Sequence, residues 1–456
     1  MQKDFNIQKI SRIHMIGFSS PFSQFVAHKL YESGVKLTAS DNLISEEISK
    51  EWIEKKVFLG KNSTDNISQE IDLVIYPNGV LPDNPEYSKA IKLNIEMVSL
   101  PNVVGYFSKE YKTIAIAGTH GKSTTTALIT WIISQCDQTP NFIFGDANDR
   151  ILGINKNFNL NPKSPYLVME ACEYKEQFLG RAPKPFISVV THIDLDHTDY
   201  FTSQQMYNEA FIKFLRNTQK AIVMPKENEN EKYVFEKIKT IRKDLQMIES
   251  GQNLHLLLKN DKPNLPNLIG ERNFKNFEKA FEVGLLLGFD QTEILEACKN
   301  FPGLRFRFEY IGMLPNFAKV YRDYAHNPEK LKSLLSTAKT ACPGKKILLF
   351  WQPHNYERTF SFQNQFIESL QLADFVMIPN IYSTRETEQQ QKLITASEFV
   401  NKINLHYKSK KADYTCDSDN YSRSFKSIID KTDENWVVVI ASAGDLVKLD
   451  LNKINL

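Results

Sequence analysis

Apolar positions along this chain fall into short unbroken runs separated by stretches of helical period, and the alternation repeats from end to end. "RIHMIGF" is an apolar run ending in Gly17, and "PFSQFVAHKLYESG" places apolar residues at helical spacing before Gly34. "VKLTASD" reads as a second strand ending at Asp41, and "DLVIYPNGV" as a later one. Strand, helix, strand in that order makes a parallel sheet, whose ligand edge lies at the strand C-termini. A second series opens near Lys109. There "KTIAIAG" is a buried strand, "STTTALITWIISQ" a helix, and "YLVMEAC" and "FISVVTHIDLDH" further strands. The charged run "PKENENEK" at 225–232 reads as a solvated loop, and 270–300 as helical. A third series starts near Ile311, with "AKVYRDYAH", "KILLFWQPH", "DFVMIPNIY" and "WVVVIASAGD" as strands between helical segments. The pattern predicts an α/β protein of three domains, at 1–107, 108–311 and 312–456.

Composition removes several function classes. A chain of 456 residues exceeds one ordinary core, and 42% apolar with 24% charged residues is the balance of a soluble globular protein. The 56 basic and 54 acidic residues leave a net charge of +2, so no broad basic field attracts nucleic acid or anionic lipid. Cys136, Cys172, Cys298, Cys342 and Cys416 are scattered and form no C-x-x-C pair, which speaks against a disulfide framework or zinc site and for a reducing cytosol. "MQKDFNIQKI" has no signal-type apolar region, and no apolar run approaches the roughly 20 residues of a membrane span. A cytoplasmic protein is expected. A monomer or weak dimer is expected, though no heptad run or uncovered apolar helix face in the sequence sets the oligomeric state.

Candidate chemistry sits at the predicted strand ends. In the first series, "GFSSPF" keeps only Gly17 of a G-x-G-x-x-G nucleotide fingerprint. Ser20 can cap the following helix with Pro21 in its first turn, leaving N–H groups near Gly17, Ser19 and Ser20 for an anion. Asp41 lies at the distance from Gly17 expected of a residue that meets a ribose or a base. A plain strand-to-helix turn is the competing reading, and bulky Phe18 and Phe22 are expected to restrict close approach to a diphosphate.

The second series is stronger. "GTHGKST", Gly118 to Thr124, ends in the Gly-Lys-Ser of a phosphate loop, although Ile116 stands where G-x-x-x-x-G-K-[ST] has its first glycine. Backbone donors at a helix start, Lys122 for the β- and γ-phosphates and a hydroxyl for magnesium remain in place. Oxygen and imidazole candidates follow the neighbouring strands: Glu170 and Glu173 after "YLVM", then Asp194, Asp196, His197 and Asp199 after "ISVVT".

Together, "GTHGKSTTT", "EACEYKEQFL" and "THIDLDHTDYF" resemble, in order and spacing, the central ATPase domain of the Mur ligase family. "GERNFKNFEKA" is similar to the family's adenine-contacting segment, "GLRFRFEYIG" to its R-F-E motif, and "DYAHNP" to the opening of its third domain. The resemblance implies Rossmann-like first and third domains around a central P-loop ATPase domain with a parallel sheet. Within the family, "QPHNYERT", "EACEY" and "SAGDLVKL" resemble most the branch joining L-alanine to UDP-N-acetylmuramate for peptidoglycan precursors. The partners implied are therefore small molecules: ATP, UDP-N-acetylmuramate and an amino acid, with Mg2+.

By the same resemblance, Gly118, Thr119, His120, Gly121, Lys122, Ser123 and Thr124 form the nucleotide loop. Ser123 or Thr124, with Glu170, holds one magnesium, and His197 the second. Asn273 contacts adenine, Arg307 the γ-phosphate and Asp323 the ribose, with Lys122, Glu170, His197 and Arg307 as the catalytic group. His326, His354, Arg358 and Arg385 fall by analogy in the cleft that closes on substrate. The match has departures: His192 stands in "THID" where an asparagine is common, Phe306 where a second arginine often stands, and Phe211 in the register of a modified lysine found in some members. A sister ligase adding another amino acid, a peptide or a glutamate, and an idle nucleotide-binding relative, remain the alternatives.

Overall fold

The computed structural model describes residues 10–80, 82–145, 151–154, 156–179, 184–197, 200–258, 263–383, 386–415 and 421–451. They belong to two compact units, Met1–Leu265 with Arg272–Phe301, and Pro266–Glu271 with Pro302–Leu456.

The first unit holds two sheets. Strands β1 (Arg12–Ile16), β2 (Lys36–Ser40), β3 (Phe58–Gly60), β4 (Leu73–Tyr76) and β5 (Glu96–Ser99) are all parallel, in the order β3-β2-β1-β4-β5. The second sheet contains β6 (Lys112–Ala117), β7 (Asn141–Ile143), β8 (Phe158–Asn159), β9 (Tyr166–Glu170), β10 (Ile187–Val190), β11 (Ala221–Met224) and β12 (Gln246–Glu249). Its order is β12-β11-β10-β6-β9-β7-β8, parallel except for the β7–β8 pair. The apolar runs behave as their composition demands. β9, β10 and β11 are buried at every residue, as strands covered on both faces must be. The two sheets share one apolar core, in which Phe22 of the first packs on Phe178 of the second with ring centroids 4.6 Å apart.

Two expectations fail here. Phe18 and Phe22 do not overhang their loop. Both are buried, Phe18 edge-on to Trp52 at 5.3 Å, because apolar rings gain more from the core than from solvent. The run at 225–232 is not a solvated loop either. Its second half starts the helix Glu229–Ile241, with Asn228 as N-cap and Glu231 completing a capping box. Four hydrogen bonds to Glu231 compensate its complete burial.

In the second unit, β13 (Glu309–Met313), β14 (Lys319–Asp323), β15 (Lys346–Gln352), β16 (Phe375–Ile378), β17 (Ala412–Tyr414) and β18 (Trp436–Ser442) run in the order β13-β14-β18-β15-β16-β17. Only β13–β14 is antiparallel, and β13 carries a bulge between Tyr310 and Gly312. β15 shows why "ILLFW" within it is apolar throughout. Leu349 and Trp351 enter the core on one face, Leu348 and Phe350 the core on the other. No described helix is long and apolar enough to cross a membrane.

Candidate active site

β6 runs out at Ala117 into Gly118–Gly121, and the helix Lys122–Cys136 begins at once. Both glycines are obligatory. Gly118 has φ +134° and Gly121, the N-cap, φ +85°; a methyl group on the first would strike Thr191 and on the second the Asn276 amide. The loop is braced from β10's end. Thr119 N–H donates to the His192 carbonyl (2.9 Å), and its hydroxyl donates to the Asp194 carbonyl (2.7 Å) and meets the Tyr207 hydroxyl at 3.0 Å. Thr191 donates its hydroxyl to the His120 carbonyl. Ser123 sits partly exposed in the helix's first turn, and Thr124 is buried behind it.

Lys122 folds back over the loop, 2.6 Å from the Gly118 carbonyl and 3.0 and 3.1 Å from the two oxygens of Glu173. His197, at φ +54°, brings Nε2 to 3.4 Å from Glu173 Oε1. Burial opposes the Lys122 ammonium, but Glu173, with Cys172 and Glu170 behind it, outweighs burial and raises its pKa. Burial likewise opposes the Glu173 carboxylate, and Lys122 and His197 together hold it below the usual range. The Glu173 hydrogen bond lifts His197 against its own burial. Lys122 and Glu173 thus sustain each other's charge against burial.

The ligand atoms of Glu173, Asp196 and His197 lie within 4.8 Å of one another. Two carboxylates and one imidazole suit a hard divalent cation that keeps water and phosphate as its other ligands, so the donor set fits Mg2+. Glu170, 5% exposed at the end of β9, stands outside this group, with Gly145 leaving room for its carboxylate. Spacing alone does not separate Glu170 from Glu173. The chain leaves the strand between them, with non-helical Lys175 (φ +52°) next in the turn. Asp199 lies outside the described residues. Phe211 is fully buried, whereas Lys213 is exposed and pairs with Glu176 at 3.0 Å.

Asn273 is half-buried in the helix Glu271–Leu287, one turn before Asn276 against the loop. Asn276, Tyr207 and Thr191 are loop partners that sequence reading passed over; only Asn276 had a signal, its i+3 spacing from Asn273.

At the β1 and β2 ends, Gly17, Ser19, Ser20 and Asp41 do come together. Asp41 accepts from the Ser19 N–H (2.9 Å) and the Leu43 N–H (3.0 Å), and Ser20 caps its helix through Ser23 N–H. Gly17, at φ +74°, closes against Pro77.

The second unit gathers the remaining candidates at the ends of β14 and β15. Asp323 accepts from the Phe308 N–H (2.8 Å), and burial raises its pKa against the pull of Arg307. Arg307 lies 6.0 Å from the Tyr324 ring, and His326 meets the Tyr324 carbonyl at 3.0 Å. The His326 and His354 rings are 6.3 Å apart, and Arg358 reaches His354 at 3.5 Å. Arg385 lies outside the described residues. The guanidinium groups of Arg305 and Arg322 each lie 4.8 Å from the Phe306 ring.

Burial, helped by the Lys330 charge, lowers His326 to about 3. Between that value and the roughly 6.5 of an unfolded histidine, only the unfolded chain binds the proton. Stability is therefore lost as pH falls below about 6.5, at about 1.4 kcal/mol per pH unit. Calorimetry at pH 7.5 and 5 is expected to show His326→Gln losing about 2 kcal/mol less than wild type.

The Mur ligase middle domain matches residues 116–280, and the Mur ligase glutamate ligase domain residues 306–446. UDP-N-acetylmuramate–L-alanine ligases from Caldanaerobacter subterraneus subsp. tengcongensis and Clostridium tetani are each 31% identical, with 98% of both chains covered. Among solved structures, the UDP-N-acetylmuramate-alanine ligase of Thermotoga maritima superposes with a TM-score of 0.68 at 23% identity, over 97% of each chain, a likeness of fold. A loop that presents lysine and backbone donors beside an acid-imidazole cluster, on a chain matched end to end, has one conclusion: this protein belongs to the Mur ligase family.

Proposed function

We propose that the protein is an ATP-dependent ligase that joins L-alanine to UDP-N-acetylmuramate through an acyl phosphate, supplying a peptidoglycan precursor. The observation that carries the reading is the Lys122–Glu173–His197 cluster at the helix start, in a chain similar over its whole length to ligases of that name.

A carboxylate does not react with an amine at neutral pH, because its oxygen is too poor a leaving group. Its oxygen attacks the γ-phosphorus of ATP, ADP departs, and an acyl phosphate remains. The neutral amine of alanine then adds to the acyl carbon, and inorganic phosphate leaves from the tetrahedral intermediate. Lys122 and the loop N–H groups neutralise charge on the moving phosphoryl oxygens. Arg307 adds a further cation for that group, Asn273 binds adenine and Asp323 the ribose. Glu173, Asp196 and His197 would hold one Mg2+, and Ser123 with Glu170 another; when bound, the metal supplies charge neutralisation for the phosphates. Residues 1–107 take the uridine substrate through Gly17, Ser19, Ser20 and Asp41. Residues 312–456 take the amino acid through His326, His354, Arg358 and Arg385.

Phosphate release from purified protein with ATP and Mg2+ tests the reading across a panel of acids and amino acids. Release is expected only when UDP-N-acetylmuramate and L-alanine are both present. Release indifferent to both, or binding of ATP with no turnover across the panel, would overturn it.

A further inference from the structure

A second polar cluster stands beside the phosphate loop and has no part in the steps above. Glu231 is fully buried in the first turn of its helix, where Oε2 accepts from the Glu227 N–H (2.8 Å) and the Asn228 N–H (3.3 Å). Its Oε1 accepts from the Ile193 N–H (3.3 Å) and meets Nδ1 of His192 at 2.7 Å. Burial opposes the Glu231 charge, but His192 and these backbone donors outweigh it, holding the carboxyl below its usual range. His192 is thus gripped at one nitrogen by a buried carboxylate. Its side chain is still 35% exposed, and Nε2 has no hydrogen-bond partner among the described residues.

The backbone of His192 is part of the loop's footing. Its carbonyl holds the Thr119 N–H, and a methyl on Gly118 would come within 2.9 Å of its N and O atoms. The ring of His120, inside the loop, lies nearly parallel to that of His192, with an interplanar angle of 18° and centroids 6.3 Å apart. An imidazole with a fixed ring, one open nitrogen and a place at an anion-binding loop has the attributes of a ligand contact. A pair that merely stapled residues 191–193 to the helix would need Nδ1 alone.

We propose that His192 is a nucleotide-binding residue, offering Nε2–H to a phosphate oxygen of the nucleotide on the loop, and that Glu231 is the positioning residue that fixes its ring. The proposal rests on the ATP reading of the loop. Glu231 at one nitrogen and a phosphate oxygen at the other fix the ring between two acceptors.

Asparagine places an amide where Nδ1 stands and so keeps the Glu231 contact without the far nitrogen; glutamine reaches toward the Nε2 position instead. Calorimetric titration of the full chain with ADP is expected to show His192→Asn binding about tenfold more weakly than wild type and His192→Gln recovering part of the loss. UDP-N-acetylmuramate affinity should stay unchanged in both, and the melting temperature in His192→Asn, which keeps the Glu231 contact. In turnover, KM for ATP should rise with kcat preserved, and Glu231→Gln should show a smaller rise of the same kind. ADP binding by His192→Asn equal to that of wild type overturns the proposal, as does a loss confined to UDP-N-acetylmuramate. Failure of the wild-type chain itself to bind ADP would instead remove the reading of the loop on which the proposal stands.

Discussion

Lys122→Ala is expected to lower turnover by roughly 10²–10³-fold, the usual consequence of deleting a cation aimed at a phosphoryl group in transfer. The geometry makes the loss specific. The ammonium is held at 2.6 Å by the Gly118 carbonyl and at 3.0–3.1 Å by Glu173, so it is already placed over the loop before nucleotide arrives. Removing it leaves Glu173, 1% exposed, beside the His197 imidazole. Burial then works on that carboxyl without Lys122 to oppose it, and Glu173 moves toward the neutral form. Uptake of a proton relieves an otherwise costly buried charge, so far-UV circular dichroism should stay that of wild type. Steady-state phosphate release measures the effect. A variant keeping more than about a tenth of wild-type kcat would place the moving phosphoryl group elsewhere.

His197→Ala should fall by roughly 10²-fold in turnover and require more Mg2+ to reach half-maximal rate. His197 occupies a left-handed backbone conformation, φ +54°, unusual for a residue with a side chain. It also packs on the Tyr174 ring at 4.8 Å. Strain retained at such a position is consistent with a site held for its chemistry. ADP affinity measured without metal should be unchanged, because the imidazole lies among acids rather than in the loop. A Mg2+ titration identical to wild type would remove His197 from the metal site.

Much of this arrangement was legible in the residues, and the reasons differ by element. Strands such as "IAIAG" and "ISVV" announce themselves because burial on both faces admits few polar groups, and Ser188 in the second is satisfied by the Thr218 hydroxyl at 2.7 Å. The Gly-Lys-Ser loop is readable because its function constrains backbone conformation, which glycine records. Glu231 shows the opposite case. Charge in "PKENENEK" looked like solvation, although Asn228 and Glu231 stood at capping-box spacing, and only the fold reveals that the carboxylate is enclosed and bonded. Glu170 and Glu173 were separable only by the turn between strand and site, which leaves no periodic trace. Phe18 and Phe22 were misplaced for a similar reason. Two aromatic residues flanking a loop state their size, not their direction, and Trp52 and Phe178 decide it.

The outer strand of the second unit's sheet bears on how the molecule survives crowding. An open row of parallel strands is a template on which another chain can add, and a long flat border invites fibrous growth. Here one border is β13, running against its neighbour and broken at Gly312, φ +142°; the other is β17, only three residues long. Neither offers a foreign strand a continuous ladder, so neither border is a ready template for edge-to-edge growth.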